Sequence, residues 1–387
     1  MTVRFIHSGD WHLGKSFGTL PDGLSGELRA ARFDAISRIA DIAIHRAASH
    51  VLVAGDVFDS PDIARVDLRR AVERMADQPD IVWVLLPGNH DPARSGGVWQ
   101  RLRRLEPPPN LVIADDAAPL DLAPGVTLLP APLTSKFPGQ DPSAWMTGAV
   151  TPPGTVRIGL AHGSVSIFGQ GPSSDGGNDG DSGITLAADR AAQSGLAYLA
   201  LGDWHGTKRI TPNTWYSGTP EPDRFPDNDP GHVLAVSVNG PGHADVEKIH
   251  SRAFTWAKAS ATITSADDLA AIDQTIAAMS KTPRALLLNL ALAGNVSMAE
   301  HERVGAWCER WSARLKWLDV GLDRLAIRPT TSDLDQLAGS PALITVARRL
   351  VAITDDATVD DNKRAAASLA LIRLFGFAAE AAGEPAP

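Results

Sequence analysis

The amino-acid sequence predicts an α/β protein in which a layered sheet or β-sandwich is flanked by helices. In the first two thirds of the chain, short apolar runs alternate with segments whose apolar residues recur at helical spacing. Many of these runs are rich in β-branched residues, as expected of strands buried on both faces. Alternation of this kind is typical of layered α/β folds.

Six apolar runs predict buried strands. In chain order they are VRFI at the start, HVLVA near Val51, IVWVLL from Ile81, VTLL near Leu128, VRIGLA from Val156 and LAYLAL from Leu196. Two amphipathic helices are predicted between the first three runs. Their apolar faces carry Phe33, Ile36, Ile39, Ala40 and Ala43 in the first helix and Leu68, Val72 and Met75 in the second.

The chain of 387 residues is long enough for two or three domains. We predict a main domain over residues 1–250, because the composition shifts toward Ala and Leu near residue 250. A small α+β domain is predicted over residues 251–335, with one strand-like run at 284–292 and a helical pattern at 300–318. C-terminal helices are predicted over residues 336–387, with patterns at 340–353 and 363–382, and a flexible loop is predicted over the glycine-rich stretch at 169–183.

Composition excludes several classes of protein. The single cysteine, Cys308, rules out an intrachain disulfide and a cysteine-based zinc site. No apolar run is long enough for a membrane span, and no signal peptide is expected, so we predict a cytoplasmic protein. The net charge of −9 argues against a broad basic surface for nucleic acid. Any polyanionic substrate therefore needs a local source of positive charge, and bound metal ions are one candidate.

Five of the predicted strands are followed by side chains that can bind metal ions. The segments deliver Asp10 and His12, then Asp56 and Asp59, then Asn89, His90 and Asp91, then His162, and finally Asp203 and His205. The carboxyl ends of strands in an open α/β sheet line one crevice, so we expect these five remote segments to converge. The tetrapeptide GDWH occurs twice because each copy supplies an Asp/His pair to this one site.

The residue types indicate a centre for two divalent ions. Carboxylate, amide and imidazole ligands suit Mn²⁺, Fe²⁺ or Zn²⁺. Asp10 and His12 are two residues apart on an extended segment, so both can reach the same ion. Asp56 has two carboxylate oxygens and can bridge two ions. Two ions in such a centre activate water for attack on a phosphoester.

The motif series resembles the calcineurin-like metallophosphoesterases. It reads DxH, GDxxD, GNHD, a lone H and GDxH across residues 5–206. The segments IHSGDWHLGKSF, GDVFDSP and LPGNHDP are most similar to the SbcD-type DNA repair exonucleases. The remaining third of the chain resembles that family's capping domain in position and general composition.

The resemblance implies a role for each site residue. Asp10, His12, Asp56 and His205 are implied to hold one metal ion, and Asp56, Asn89, His162 and Asp203 the other. His90 is implied to face the scissile phosphate without ligating, and Asp59 is implied to orient His90. The sequence departs from the usual GHxH pattern at Asp203, where the family carries histidine.

The resemblance also implies function and partners. It implies a DNA exonuclease of DNA repair that uses two divalent ions, with Mn²⁺ as the expected metal and Fe²⁺ or Zn²⁺ as alternatives. The implied partners are DNA, an SMC-like ATPase of the SbcC type and a second copy of the chain. The ATPase is expected at a stripe of Leu369, Ile372 and Phe375. Two alternatives stay open, which are a phosphodiesterase or phosphatase for small phosphoesters and a non-catalytic metal-binding scaffold.

Four residues beside the ligand motifs have further predicted roles. Trp11 and Trp204 lie between predicted ligands, and we expect them to pack around the site, with stacking on a base as the alternative. Lys15 and Lys208 are candidates for contacting a polyanion.

Overall fold

The computed structural model describes residues 2–166, 184–225, 228–240, 242–328 and 340–381. The chain divides into two compact units, Met1–Phe254 and Thr255–Pro387. The loop predicted at 169–183 and the domain boundary predicted near residue 335 lie outside the described residues.

The first unit is built on two large sheets. Its strands are, in chain order, β1 (Val3–Ser8), β2 (His50–Val53), β3 (Val82–Leu85), β4 (Leu111–Ile113), β5 (Leu120–Ala123), β6 (Val126–Ala131), β7 (Val156–His162), β8 (Ser164–Ser166), β9 (Thr185–Ala187), β10 (Tyr198–Gly202), β11 (Lys208–Thr211), β12 (Thr214–Tyr216), β13 (His232–Val238) and β14 (Ala244–His250). Over the described residues, one sheet has the order β14-β13-β1-β2-β3-β4 and the other β11-β12-β10-β7-β6-β5. β8 and β9 form a separate parallel pair.

Helices cover the outer faces of these sheets. They are α1 (Asp22–His45), α2 (Arg65–Ala76), α3 (Val98–Arg103), α4 (Arg190–Gln193) and a 3₁₀ helix at Ala144–Gly148. The two predicted amphipathic helices are confirmed as α1 and α2, and their predicted apolar faces are buried.

Two apolar clusters show how the layers pack. Between the two sheets, Phe5 and Leu52 of the first sheet share a cluster with Leu160 of the second. Ile6, the neighbour of Phe5 in β1, points the other way and packs in the cluster that contains Phe33 of α1. Both faces of the central strands are therefore buried, which explains their continuous apolar sequence. The predicted layered β-sandwich flanked by helices is confirmed.

The second unit contains a parallel sheet of the order β15-β16-β17. Its elements are β15 (Thr255–Ile263), a 3₁₀ helix at Ala266–Asp268, α5 (Leu269–Met279), a 3₁₀ helix at Pro283–Ala285, β16 (Leu286–Val296), α6 (Met298–Arg314) and β17 (Trp317–Ile327). The sequence predicted only the central strand, β16. It missed β15 and β17 because polar residues alternate along both strands. The helix predicted over 300–318 ends earlier, since Trp317 already belongs to β17.

Two terminal helices, α7 (Pro341–Asp355) and α8 (Asp361–Ala381), end the second unit. The stripe predicted to dock a partner is divided between core and surface. Phe375 is buried in a cluster with Met298 and Ile327, and Ile372 packs against the same cluster, whereas Leu369 is exposed. Intrachain packing thus accounts for Phe375 and Ile372, and docking of a partner stays a prediction.

Over the described residues, no helix has both the length and the apolarity that a membrane crossing requires.

A buried histidine inside the first unit predicts a pH-dependent stability. The His7 ring lies between the sheets, where Nδ1 is 2.9 Å from the Tyr198 hydroxyl and Nε2 is 3.1 Å from the Leu201 carbonyl oxygen. Burial lowers the pKa of His7 from 6.5 to about 3. Its contribution to the free energy of unfolding is therefore fully present above pH 6.5 and is lost progressively as the pH falls toward about 3.

We expect this loss to be visible in a comparison with His7→Gln. Urea unfolding at pH 7.5 and 5.5 should show the stability advantage of the wild type over His7→Gln shrinking by about 1 kcal/mol at the lower pH. His45→Gln is the control, because His45 is exposed. An advantage that is equal at both pH values would contradict the buried neutral state of His7.

Candidate metal centre

The predicted site residues follow the carboxyl ends of neighbouring strands. Parallel pairing aligns the ends of β1, β2 and β3 in the first sheet, and β7 aligns with β10 in the second, where His162 pairs with Gly202. The two sheets meet at this end, because the His162 Nδ1 atom lies 2.8 Å from the Ala54 carbonyl oxygen that follows β2. The fold thereby brings the five sequence segments to one place.

The first ligand group consists of Asp10, His12, Asp56 and His205. Ligand atoms of Asp10, His12 and His205 all lie within 4.8 Å of one another. The Nε2 atoms of His12 and His205 are 3.2 Å apart, and Asp56 Oδ2 is 3.7 Å from His12 Nε2. Nitrogen atoms this close, together with carboxylates, form a donor set suited to a divalent ion.

The second ligand group consists of Asp56, Asn89, His162 and Asp203. Three oxygens surround the Nε2 atom of His162, at 3.5 Å for Asp56 Oδ2, 2.6 Å for Asn89 Oδ1 and 3.9 Å for Asp203 Oδ1. Asp56 faces both groups. The structure thus places the seven predicted ligands in the two sets that the resemblance implies, and their ligation of metal stays a prediction.

The chemistry of these residues fits divalent cations. Asp10 and Asp56 are buried, and in the described part of the chain neither forms an ion pair with lysine or arginine. The Oδ2 atom of Asp10 is buried without a hydrogen-bond partner among the described residues. Burying carboxylates is costly unless a positive charge compensates them. Divalent ions held by the two ligand groups would supply that charge.

The pKa values of two site residues also indicate that the site is suited to a cation. Burial raises the pKa of Asp10 from 3.8 to about 7. Burial lowers the pKa of His162, but the carboxylates of Asp56, Asp10 and Asp203 outweigh burial and raise this pKa to about 9. Without a cation, the site therefore retains protons near neutral pH, and metal binding would displace them.

The backbone is strained at the predicted ligands. Among the described residues, the non-glycine residues with positive φ are Asp10, His12, Ala47, Asp56, Glu106 and Asp203. Four of these six residues are predicted ligands. Left-handed conformations of non-glycine residues cost about 1–3 kcal/mol each and concentrate at functional sites. The packing of the two sheets therefore holds these ligands in conformations that the chain alone disfavours.

Glycines beside the ligands allow a close approach of the chain. A Cβ atom on Gly88 would lie 2.1 Å from Asp56 Oδ1, and one on Gly202 would lie 1.9 Å from the Ala54 carbonyl oxygen. Gly55 has a φ of +89°, and a Cβ there would lie 2.2 Å from His162 Nδ1. Side chains at these positions would displace Asp56 or His162 from its ligand group.

We expect Gly88→Ala to weaken metal binding by displacing Asp56. Displacement of a reacting group by about 1 Å can reduce a rate about 10²-fold, so Mn²⁺ affinity and hydrolysis should both fall at least about tenfold. Gly26→Ala is the matched control, because no atom lies near the added methyl group on α1. Isothermal titration with Mn²⁺ and thermal melting should be compared. Wild-type affinity in Gly88→Ala would contradict the assigned position of Asp56.

His90 lies at the rim of the two ligand groups and is half-buried. Its backbone N–H donates to Asp56 Oδ1 at 2.9 Å, and its ring Nδ1 is 3.0 Å from the Asp59 carbonyl oxygen. The resemblance implied that Asp59 orients His90, and the contact between the two residues is made by the backbone of Asp59. The Asp59 carboxylate lies 3.3 Å from His12 Nδ1, and the backbone carbonyl of Asp59 contacts His90.

Among the described residues, two further groups of atoms are suited to a metal ion. One consists of Asp10, Asp56 and His162, and the other includes His90. Ligand atoms of His12, Asp56 and His90 lie within 4.8 Å of one another. His90 can therefore serve either as a ligand or as an acid, and these two roles predict different effects of mutation.

Sequence reasoning missed an acidic residue that supports the first ligand group. Asp223 is buried, with its carboxylate 3.8 Å from His205 Nδ1 and 2.6 Å from Lys15 Nζ. A carboxylate behind a ligating histidine fixes its orientation and raises its basicity. Lys15 pairs with Asp223, and its contact with a polyanion stays a prediction. No motif marks Asp223, since it lies in a turn-rich segment.

Asp91 and Arg32 hold the loops that carry the ligands. The Asp91 carboxylate accepts hydrogen bonds from the backbone N–H groups of Phe58 at 2.9 Å and Gly88 at 2.7 Å. The buried Arg32 guanidinium donates to the carbonyl oxygens of Trp11 at 2.8 Å and Asp10 at 3.3 Å. These contacts tie the β1, β2 and β3 loops together. The sequence motifs included Asp91 but did not reveal that it holds the loops together. No motif indicated Arg32.

The two tryptophans of the GDWH motifs differ in exposure. Trp11 is buried against Trp83 and donates to the Ser8 hydroxyl at 2.8 Å, so its predicted packing role is confirmed. Trp204 is half-buried, and the Lys208 ammonium lies 4.7 Å from its ring centroid. Lys208 is exposed and remains a candidate for contacting a polyanion.

One comparison with known protein families agrees with this geometry. Residues 3–183 match the family described as calcineurin-like phosphoesterase. No curated protein matches the chain. The matched segment contains Asp10, His12, Asp56, Asn89 and His162, which come from both ligand groups. This part of the chain, somewhat less than half of its length, is therefore similar to the calcineurin-like phosphoesterases.

Proposed function

We propose that the protein is a metal-dependent DNA nuclease, an exonuclease of DNA repair that hydrolyses phosphodiester bonds. The observation that carries this proposal is the convergence of seven buried or nearly buried ligands around the shared carboxylate of Asp56, with His90 at the rim. A non-catalytic scaffold has no need of such a rim histidine, so catalysis is the better account.

Each ligand group has a defined role in the proposed reaction. The first ligand group would hold one divalent ion and the second ligand group the other. When bound, the two ions supply the charge that neutralises phosphate oxygens and activates water for attack on phosphorus. We propose Mn²⁺, with Fe²⁺ or Zn²⁺ as alternatives, because the donors are oxygen and nitrogen.

His90 is proposed to act on the leaving oxygen. Its Nδ1 atom is anchored by the Asp59 carbonyl oxygen, and among the described residues no hydrogen bond engages Nε2. Nε2 can then donate a hydrogen bond or a proton to the oxygen that departs from phosphorus. A group in this role typically contributes about 10²–10⁴-fold to the rate.

A cleft beside His90 supports an extended substrate. Its volume is about 340 Å³, and its walls include His90, Arg94 and Lys136. Both cations are exposed, and over the described residues neither forms an ion pair with a carboxylate. The two loops that carry them are joined by a hydrogen bond from the Ala93 N–H to the Leu133 carbonyl oxygen at 2.7 Å. Two unpaired cations next to the site suit the phosphates that flank a scissile bond in DNA.

The same cleft is large enough for a small nucleotide, so a phosphodiesterase or phosphatase for small phosphoesters is the second candidate.

The SbcC-type ATPase, a homodimer and a cytoplasmic location also remain proposals. Leu369 is the most exposed residue of the predicted docking stripe.

One experiment separates the two substrates. Purified protein with Mn²⁺ is given linear duplex DNA, single-stranded DNA and an aryl phosphodiester. We expect Arg94→Ala with Lys136→Ala to slow DNA hydrolysis while sparing the aryl substrate. Arg69→Ala is the matched control, since Arg69 is exposed on α2 and does not line the cleft. Hydrolysis of the aryl phosphodiester without DNA cutting, even with an SMC-like ATPase added, would overturn the nuclease assignment.

A further inference from the structure

The two carboxylate oxygens of Asp203 face different partners. Oδ1 lies 3.9 Å from His162 Nε2, on the side of the second ligand group. Oδ2 accepts a hydrogen bond of 2.6 Å from the Ser164 hydroxyl. The backbone N–H of Asp203 donates to Asp10 Oδ1 at 2.9 Å, and its φ is +103°. The main chain and one oxygen of Asp203 are thus fixed, and the second oxygen is directed at the ligands.

Ser164 is itself held in place from two sides. Its backbone N–H donates to the Ile184 carbonyl oxygen at 2.8 Å, where β8 meets β9. The Tyr216 hydroxyl donates to the Gly163 carbonyl oxygen at 2.8 Å and accepts from the Val165 N–H at 2.9 Å. These bonds anchor both neighbours of Ser164, so its hydroxyl is presented at a defined position.

The topology explains why Ser164 and Asp203 meet. β7 and β10 are parallel neighbours, and His162 is paired with Gly202 at their ends. The Gly163 N–H then donates to the Gly202 carbonyl oxygen at 3.1 Å. Ser164 and Asp203 follow directly after these paired residues. The pairing is therefore built into the sheet and does not depend on a flexible surface contact.

We infer that Ser164 is a positioning residue, which fixes the rotation of the Asp203 carboxylate so that Oδ1 faces the second ligand group. Aspartate has a shorter side chain than the histidine that the family pattern carries at this position, so its orientation decides whether it can reach a metal ion. Hydrogen-bond partners behind a ligand typically change metal affinity about 10–100-fold. This inference rests on the proposed two-metal centre and is independent of the nature of the substrate.

The test measures Mn²⁺ binding to the metal-stripped full-length chain. Isothermal titration at pH 7.5 gives the number and affinity of bound ions for the wild type, Ser164→Ala and Ser164→Thr. The threonine variant retains the hydroxyl and is the matched control. Asp203→Ala and the double variant Asp203→Ala with Ser164→Ala complete a double-mutant cycle. Thermal melting of each variant reports on the fold.

We expect two Mn²⁺ ions per wild-type chain. Ser164→Ala should weaken one ion about 10–100-fold, the same ion that Asp203→Ala weakens, and leave the other ion unchanged. Ser164→Thr should bind as the wild type does, and in the Asp203→Ala background Ser164→Ala should have no further effect.

Five results would overturn the inference. Four of them are wild-type binding in Ser164→Ala, equal weakening of both ions, an effect that persists without Asp203, and fewer than two ions in the wild type. The fifth is a Ser164→Thr variant that binds Mn²⁺ as weakly as Ser164→Ala does, because it would show that the hydroxyl is not what matters. Failure of the proposed function is a separate outcome, because it would appear as two bound Mn²⁺ ions without hydrolysis of any phosphodiester.

Discussion

Replacing Asp56 with alanine is expected to abolish metal-dependent hydrolysis. The Asp56 carboxylate faces both ligand groups, 3.7 Å from His12 Nε2 and 3.5 Å from His162 Nε2. Metal ions in such centres stabilise the transition state by several kcal/mol, so their loss corresponds to a fall of at least about 10³-fold in kcat/KM. Hydrolysis of an aryl phosphodiester with Mn²⁺ measures this directly.

Two further variants show whether the loss comes from the site or from the fold. Asp56→Asn keeps an oxygen that can accept the hydrogen bond from the His90 N–H, and it removes the negative charge. It should melt near the wild-type temperature and still lose most activity. Asp116→Ala is the control for removal of an exposed carboxylate in the same unit. Activity of Asp56→Ala near that of Asp116→Ala would show that Asp56 does not join two metal positions.

Replacing His90 with alanine is expected to remove catalysis and to preserve metal binding. His90 is held by its backbone and by Nδ1, which leaves Nε2 for the leaving oxygen. Loss of such an acid should lower kcat about 10²–10⁴-fold, with both Mn²⁺ ions still bound. Kinetic assays and Mn²⁺ titration on the same protein preparation measure the two effects together.

Loss of a bound Mn²⁺ ion in His90→Ala would reassign His90 as a metal ligand. His12, Asp56 and His90 are close enough to hold an ion, and in that case His90→Ala would lose one Mn²⁺ along with activity. Unchanged hydrolysis in His90→Ala would remove His90 from the mechanism altogether. His45→Ala is the control for loss of an exposed histidine in the same unit.

The sequence predicted the layered fold and the set of residues that meet, because both follow from strand periodicity. An apolar run followed by a glycine and a polar ligand marks the end of a strand, and parallel strands end at the same edge. Asp10, Asp56 and His162 could therefore be expected to meet although they are far apart in sequence. The same reasoning failed for β15 and β17, whose alternating polar residues gave a weak strand pattern.

The supporting contacts could not be predicted, for physical reasons that differ from one residue to another. Asp223 meets Lys15 and His205 through tertiary packing that no local spacing encodes. Ser164 acquires its role only when β7 and β10 are in register. Asp59 contacts His90 through a backbone carbonyl oxygen, which every residue has, so the side-chain motif could not reveal this contact.

The most direct test of the two-metal centre is the return of activity as metal is restored. Full-length protein stripped of metal is titrated with Mn²⁺ while hydrolysis of an aryl phosphodiester is followed. The account predicts no hydrolysis at the start and activity that saturates near two equivalents of Mn²⁺ per chain. Hydrolysis by the stripped protein, or saturation at one equivalent, would contradict the two-metal centre around Asp56.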